Sequence, residues 1–206
     1  EEGVKIYVLP WNETKVAVNL NSVFAEQYLE GLHSNIKCMR HPIITPMKWT
    51  HHQKIVCVDQ TVAFVGGLDL CFGRFDTSVH VLFDPHSKTW KGKDYYNPQI
   101  EEIRNTEKPF SDLFSRDAHC RMPWHDVHAK IDGAAARDVA ANFIERWNHH
   151  KEDLGKNLYS FLVPSPEMHT TSKGKVDVQV LRSICEWAGA EEEHSIHSTY
   201  LSLIEQ

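Results

Sequence analysis

Long apolar runs are missing from this sequence. None approaches the roughly 20 residues that a bilayer-spanning helix needs, so no transmembrane segment is expected. Cysteine is scarce and odd in number: Cys38, Cys57, Cys71, Cys120 and Cys185 form no Cys-x-x-Cys pair. Reduced thiols in a cytosolic setting fit that better than a disulfide framework does. An excess of positive charge is missing too. The 22 Lys and Arg stand against 28 Asp and Glu, a net charge of −6, which argues against a dedicated nucleic-acid binder but leaves room for a local phosphate site. No period or biased tract is present, which excludes collagen-like, coiled-coil and low-complexity classes. The opening Glu1-Glu2-Gly3 has no Met, basic n-region or apolar h-region. No signal peptide is expected, and the chain reads as a piece of something longer.

What is present is ordinary soluble composition, with 206 residues, 41% apolar and 24% charged. That is enough for one domain, or one domain and part of another, with a sizeable core. The run Gly3–Leu9 alternates and is β-rich, predicting a strand. Helical spacing of Val23, Phe24, Tyr28, Leu29 and Leu32 predicts a helix from about Asn21 to Leu32. Further strands are expected at Ile36–Met39, Lys54–Val58, Thr61–Val65, Val79–Phe83, Val127–Ile131 and Val176–Leu181. Asp59-Gln60 joins two of them as a tight hairpin. A second helix, from about Arg137 to Asn148, places Val139, Ala140, Phe143, Ile144 and Trp147 on one face. A third is expected over Glu191–Ile204.

Strands alternating with helices indicate an α/β domain. Residues 84–123 are polar, carry Pro85, Pro98, Pro109 and Pro123, and lack a period; so long a loop is usually functional or mobile. Residues 1–150 read as one catalytic unit, 151–175 as a linker and 176–206 as the beginning of a further unit.

The chemistry concentrates in His51-His52-Gln53-Lys54-Ile55-Val56-Cys57-Val58-Asp59. Side chains alternate along a strand, so an extended segment would present His52 and Lys54 on one face. An imidazole can attack or carry a proton, and an ammonium can hold an anionic oxygen. The pair suits phosphoryl transfer, where positioning and charge stabilisation dominate. On spacing alone, a solvent-facing pair is the commoner reading of His-x-Lys. Gly66-Gly67 lets the backbone approach a neighbour or a ligand. His51 points to the other face, and Cys57 reads as a small core residue.

The 14 histidines include His119, His125 and His128 beside Cys120, but their spacing matches no standard zinc pattern, and no metal is expected. His149-His150 lies at a helix end, where imidazoles favour the dipole. Trp90, Tyr95, Tyr96 and Trp124 flank the long loop. They are read either as loop packing or as an aromatic wall over which a cation would sit.

His52-x-Lys54-x4-Asp59 followed by Gly66-Gly67-Leu68-Asp69-Leu70 resembles the HxKxxxxD motif of the phospholipase D superfamily. The strings HHQKIVCVDQTVAFVGGLDLCFGRFD, KDYYNP and RMPWHDVHAKIDGAAARDVA resemble, in that order, the first catalytic half of a eukaryotic phosphatidylcholine-type phospholipase D, with plant and protist members carrying PX and PH domains nearest. The likeness runs from Gly3 to the end. VQVLRSICEWAGAEEEHSIHSTYLSLIEQ resembles the segment leading into the second half.

This resemblance implies an α-β-α sandwich with a mixed sheet, the first of two homologous halves. It implies hydrolysis of phosphatidylcholine to phosphatidate and choline, and transfer of the phosphatidyl group to other alcohols. His52 is then the nucleophile, and Lys54 neutralises non-bridging oxygens. Asp59 completes the motif and fixes the strand end. Asp126 is the acidic partner of the imidazole. Gly66, Gly67, Asp69 and Trp124 are expected at the substrate. No cofactor is implied.

No second HxKxxxxD occurs, so the complementary histidine is expected from a missing half, and the chain alone is expected to be inactive. The expected setting is cytoplasmic and peripheral to membranes, with a phospholipid as partner and no nucleic acid. The alternatives are a homodimeric single-motif nuclease, a cardiolipin synthase-like phosphodiesterase, or a non-catalytic membrane-binding derivative.

Overall fold

A computed structural model describes residues 3–13, 20–43, 50–166, 174, 176–189 and 195–205. The described elements run β1 (Ile6–Val8), α1 (Ser22–Leu32), β2 (Ile36–Cys38), β3 (Ile55–Val58), β4 (Val62–Gly66), β5 (His128–Asp132), α2 (Ala134–Asp153) and α3 (Ile196–Ile204), with short 3-10 turns at Gly92–Asp94 and Glu186–Ala188. This is a mixed α/β chain. No helix of the described residues is long and apolar enough to cross a membrane. The chain sorts into two compact bodies. One comprises Glu1–Ile6, Pro10–Lys54 and Gly66–His128; the other comprises Tyr7–Leu9, Ile55–Val65 and Ala129–Gln206.

In the first body α1 begins at Asn21, whose side chain accepts from Phe24 N at 3.3 Å. Glu13 accepts from Ser22 N at 2.9 Å, so two of the orphan amides of the first turn are satisfied although that turn carries no acid of its own. Glu30 accepts from Cys38 N at 3.0 Å, and Arg40 pairs with Glu26 at 2.8 Å. These bonds fix α1 to β2 and the residues after it.

In the second body β3, β4 and β5 form one sheet in that order. The β3–β4 pairing is antiparallel, with Val58 opposite Val62 and Ile55 opposite Val65. Asp59 and Gln60 take φ of 50° and 57°, and Thr61 N closes the turn on Val58 O at 3.0 Å. Two positive φ values in succession match the right-handed twist of the strands they join, so the expected hairpin is present.

Ala63, Ala136 and Val139 form a buried cluster, with Ile55, Cys57, Val65, Ile131 and Val180 packed on it. Val139, Ala140, Ile144 and Trp147 of the apolar face expected of α2 are buried, and so are its Asn142, Arg146, His150 and Lys151. Trp147 is fully enclosed; it lies edge-on to Tyr7 at 5.2 Å and stacked on Tyr159 at 5.7 Å. The segment after α2 is strapped down by polar side chains. Asn148 Nδ2 donates to Leu162 O at 2.8 Å, and Gln60 Nε2 donates to Val163 O at 3.0 Å.

Two expected strands are absent. Val79–Phe83 is a loop, because His80 takes φ of 48° and its ring is drawn to Asp76 at 3.0 Å. Val176–Leu181 is irregular as well. Val176 and Val178 remain exposed, and Arg182 is pulled instead onto α2 through Glu145 at 2.6 Å and Asn142 at 3.0 Å. The helix α2 extends beyond both expected ends. The expected start of the last helix at Glu191, and most of the linker beyond Pro166, lie outside the described residues.

Candidate active site

The strand carrying the motif begins at Ile55, so His52 and Lys54 precede it and the alternation of a pleated strand does not set their directions. Hydrogen bonds hold the lysine instead. Lys54 Nζ donates to the backbone carbonyl of His52 at 2.8 Å and meets Asp69 Oδ1 at 3.0 Å, and its side chain is only 8% exposed. His52 itself is exposed. His51 is stacked on His41 with ring centroids 5.2 Å apart, the packing role expected of it. Asp59 sits in the hairpin turn and is exposed, in the second body, where its positive φ shapes the connection.

Gly66 and Gly67 are glycines because two other side chains occupy the space beside them. A Cβ on Gly66 would overlap the imidazole of His128, and one on Gly67 would overlap the carboxylate of Asp126. The close approach expected at this pair is therefore made by residues of the same body. Asp126 is exposed and accepts from Val127 N at 2.6 Å. Among the described residues no hydrogen bond joins it to His52.

Asp69 lies between two cations. Its Oδ1 meets Lys54, and its Oδ2 accepts from Arg74 Nη1 at 2.9 Å. The Arg74 guanidinium lies over the Trp124 ring, 4.0 Å from the centroid, so one face of that indole is occupied. Trp124 Nε1 donates to Gly73 O at 2.6 Å.

Sequence reasoning missed Asp76, the hub of this region. It accepts from Arg121, His80 Nδ1, Thr77 N and Trp124 N. Burial alone would raise the pKa of this carboxyl. The His80 and Arg121 hydrogen bonds, with the two backbone amides, outweigh burial and hold it well below the usual carboxylate range. The available signal was Asp76 at the end of the GRFD string, but no spacing rule connects it to Arg121 and Trp124.

The long segment 84–123 is held in place by polar side chains bonded to backbone. Asp84 accepts from the amides of Lys88, Thr89 and Trp90 at 2.9–3.0 Å. Tyr95 Oη donates to His119 O at 2.9 Å, and Met122 N donates to Tyr96 O at 2.7 Å. Trp90 and Tyr95 are buried, with the guanidinium groups of Arg121 and Arg116 at 4.0 and 4.3 Å from their centroids. These two rings pack the loop and offer no open wall to a headgroup. His125 stacks on His80 at 5.3 Å. Among the described residues, the grouping with metal-ligand character is His149, His150 and Asp153 at the end of α2.

The site is thus an exposed imidazole followed by an ammonium held by the half-exposed Asp69 carboxylate, with the Asp126 carboxylate seated against Gly67. The phospholipase D family model matches residues 1–202. Phospholipase D A of Dictyostelium discoideum is 50% identical over 205 residues, which cover 99% of this chain and 16% of that protein. Phospholipase D zeta 1 of Arabidopsis thaliana is 40% identical over 201 residues, 96% of this chain and 17% of that protein. Phospholipase D2 of Bos taurus is 36% identical over 242 residues, 100% of this chain and 26% of that protein. The chain belongs to the phospholipase D family. It spans between 16% and 26% of the length of these three relatives.

Proposed function

We propose that this chain is the first catalytic half of a phospholipase D. It would hydrolyse the phosphodiester of phosphatidylcholine at a membrane surface, giving phosphatidate and choline. The proposed arrangement is an α-β-α sandwich with a mixed sheet over residues 1–150, a linker at 151–175 and the start of the second half at 176–206. The protein would be cytoplasmic and peripheral to membranes.

In the proposed reaction the His52 imidazole attacks phosphorus, the phosphorus–oxygen bond to choline breaks, and a histidine of the second half donates the proton that the leaving alcohol needs. Water then attacks the phosphohistidine, losing its proton to that same second-half histidine, which frees His52 and phosphatidate. An alcohol in place of water gives a new phosphatidyl ester. Lys54 would hold a non-bridging oxygen, an interaction that strengthens as charge gathers on the phosphoryl group. Asp126 would support the imidazolium of His52 once the two halves meet, and Gly66, Gly67 and Trp124 would frame the substrate. The mechanism needs no cofactor.

The observation that carries this reading is the exposed His52 next to an ammonium already fixed by two acceptors, in a chain matched by the phospholipase D family across its length. The test joins the chain to a second half bearing its own HxKxxxxD and measures choline release. His52→Ala is expected to abolish turnover, and retained turnover would defeat the assignment. The chain alone is expected to release none.

A further inference from the structure

We propose that Asp69 is a positioning residue for the Lys54 ammonium and is not a ligand of the substrate; this rests on Lys54 being the group that holds the phosphate. An ammonium has three N–H donors. Two of them are assigned here, to His52 O at 2.8 Å and Asp69 Oδ1 at 3.0 Å. Among the described residues one remains without an acceptor, and its direction is set by the other two. The lysine stem is enclosed, with the side chain 8% exposed, so the free N–H is aimed by anchored geometry rather than by a mobile four-carbon arm.

A carboxylate is an acceptor only, and against a phosphodiester it would meet like charge. Asp69 therefore serves the anion indirectly. Its second oxygen is fixed by Arg74 at 2.9 Å, and Arg74 is fixed in turn over the Trp124 ring at 4.0 Å. The chain of contacts runs from Trp124 through Arg74 and Asp69 to Lys54. The three charged groups sum to +1, so the carboxylate separates two cations that would otherwise repel and still leaves net attraction for a phosphate.

The test has two arms. In the enzyme assembled with a second half, turnover of short-chain phosphatidylcholine is measured for Asp69→Asn, Lys54→Met and the double variant. Asp69→Asn is expected to lower kcat by roughly 10- to 100-fold, the cost of a misplaced catalytic group, with little change in KM. It is expected to add nothing on top of Lys54→Met. A raised KM at unchanged kcat, or losses that multiply in the double variant, would show direct substrate contact and overturn the inference. Should Asp69→Asn fail to fold, Asp69→Glu keeps the charge, and its longer arm is expected to lower kcat alone.

The second arm needs no catalysis. In this 206-residue chain, the Lys54 ammonium resonance, assigned through Lys54→Arg, is expected to be protected from solvent exchange and to vanish in Asp69→Asn. Its persistence there would sink the proposal. Loss of the resonance in a protein whose assembled enzyme releases no choline would overturn the phospholipase reading and leave the positioning role standing.

Discussion

Asp76 accepts the amide hydrogen of Trp124 at 2.7 Å, across a separation of 48 residues. Through Arg121 the same carboxylate holds a second point of that distant segment, and through His80 a residue four positions along the chain. The segment that delivers Trp124 and Asp126 is held by this side chain together with the bonds of Met122 N to Tyr96 O and Trp124 Nε1 to Gly73 O, not by a strand or a helix.

Removing that hub should loosen the segment. Asp76→Ala leaves the Arg121 guanidinium, which is 1% exposed, without its counter-charge. Breaking a buried pair from one side costs about 3–5 kcal/mol. Urea unfolding should show a loss of that size, and amide exchange around 121–126 should quicken more than exchange in α2.

The depressed pKa of Asp76 also sets a pH dependence. A carboxyl whose folded pKa lies below its unfolded value stabilises the fold above the unfolded value, about 3.9, and loses that contribution as pH falls toward the folded one. Unfolding midpoints should therefore decline below about pH 4 in the parent chain. Asp76→Asn should decline less steeply over the same range; parallel curves would remove Asp76 from the acid response.

The space beside Gly67 belongs to the Asp126 carboxylate. Gly67 and Asp126 are both exposed, so the carboxylate can swing aside, and Gly67→Ala should destabilise by less than the roughly 1–3 kcal/mol of an overpacked core. Combining it with Asp126→Gly should recover much of that loss, and the coupling can be read from a double-mutant cycle of unfolding free energies. Strictly additive losses would show that the two residues do not share the space.

Cys57 lies on β3, where burial pushes its thiol up to about 11 from the ordinary 9.0. The thiolate is the reactive form, and two pH units remove about 100-fold of it. Alkylation of the folded chain at pH 8, followed by mass spectrometry of each cysteine, should find Cys57 slower by about that factor than the same thiol in denaturant. Comparable rates would show that the strand does not shield it.

Much of the frame was legible in the residues. The apolar face of α2 repeats at helical spacing, and Asp59-Gln60 tolerates the positive φ that its hairpin uses. The two missing strands were misjudged for a common reason. Val79–Phe83 and Val176–Leu181 have β-rich composition, but a strand needs partners for its backbone, and His80 and Arg182 commit these segments to side-chain anchors instead. The aromatic residues near the site were legible as a group. The guanidinium groups that cover Trp90, Tyr95 and Trp124 were not, because cation–π pairs between distant loops leave no period.

The sequence by itself determined the chemistry that could be present: His52, Lys54 and Asp59 in fixed order, Gly66-Gly67 after them, and an α/β alternation around them. Those follow from covalent spacing and local backbone preference, which act over a few residues. Only the tertiary structure decided that Lys54 is aimed by Asp69, that Asp126 fills the space of Gly67, and that Asp76 holds the segment between them. Each of these joins groups far apart along the chain, and only the packed fold sets the distances on which hydrogen bonds and ion pairs depend.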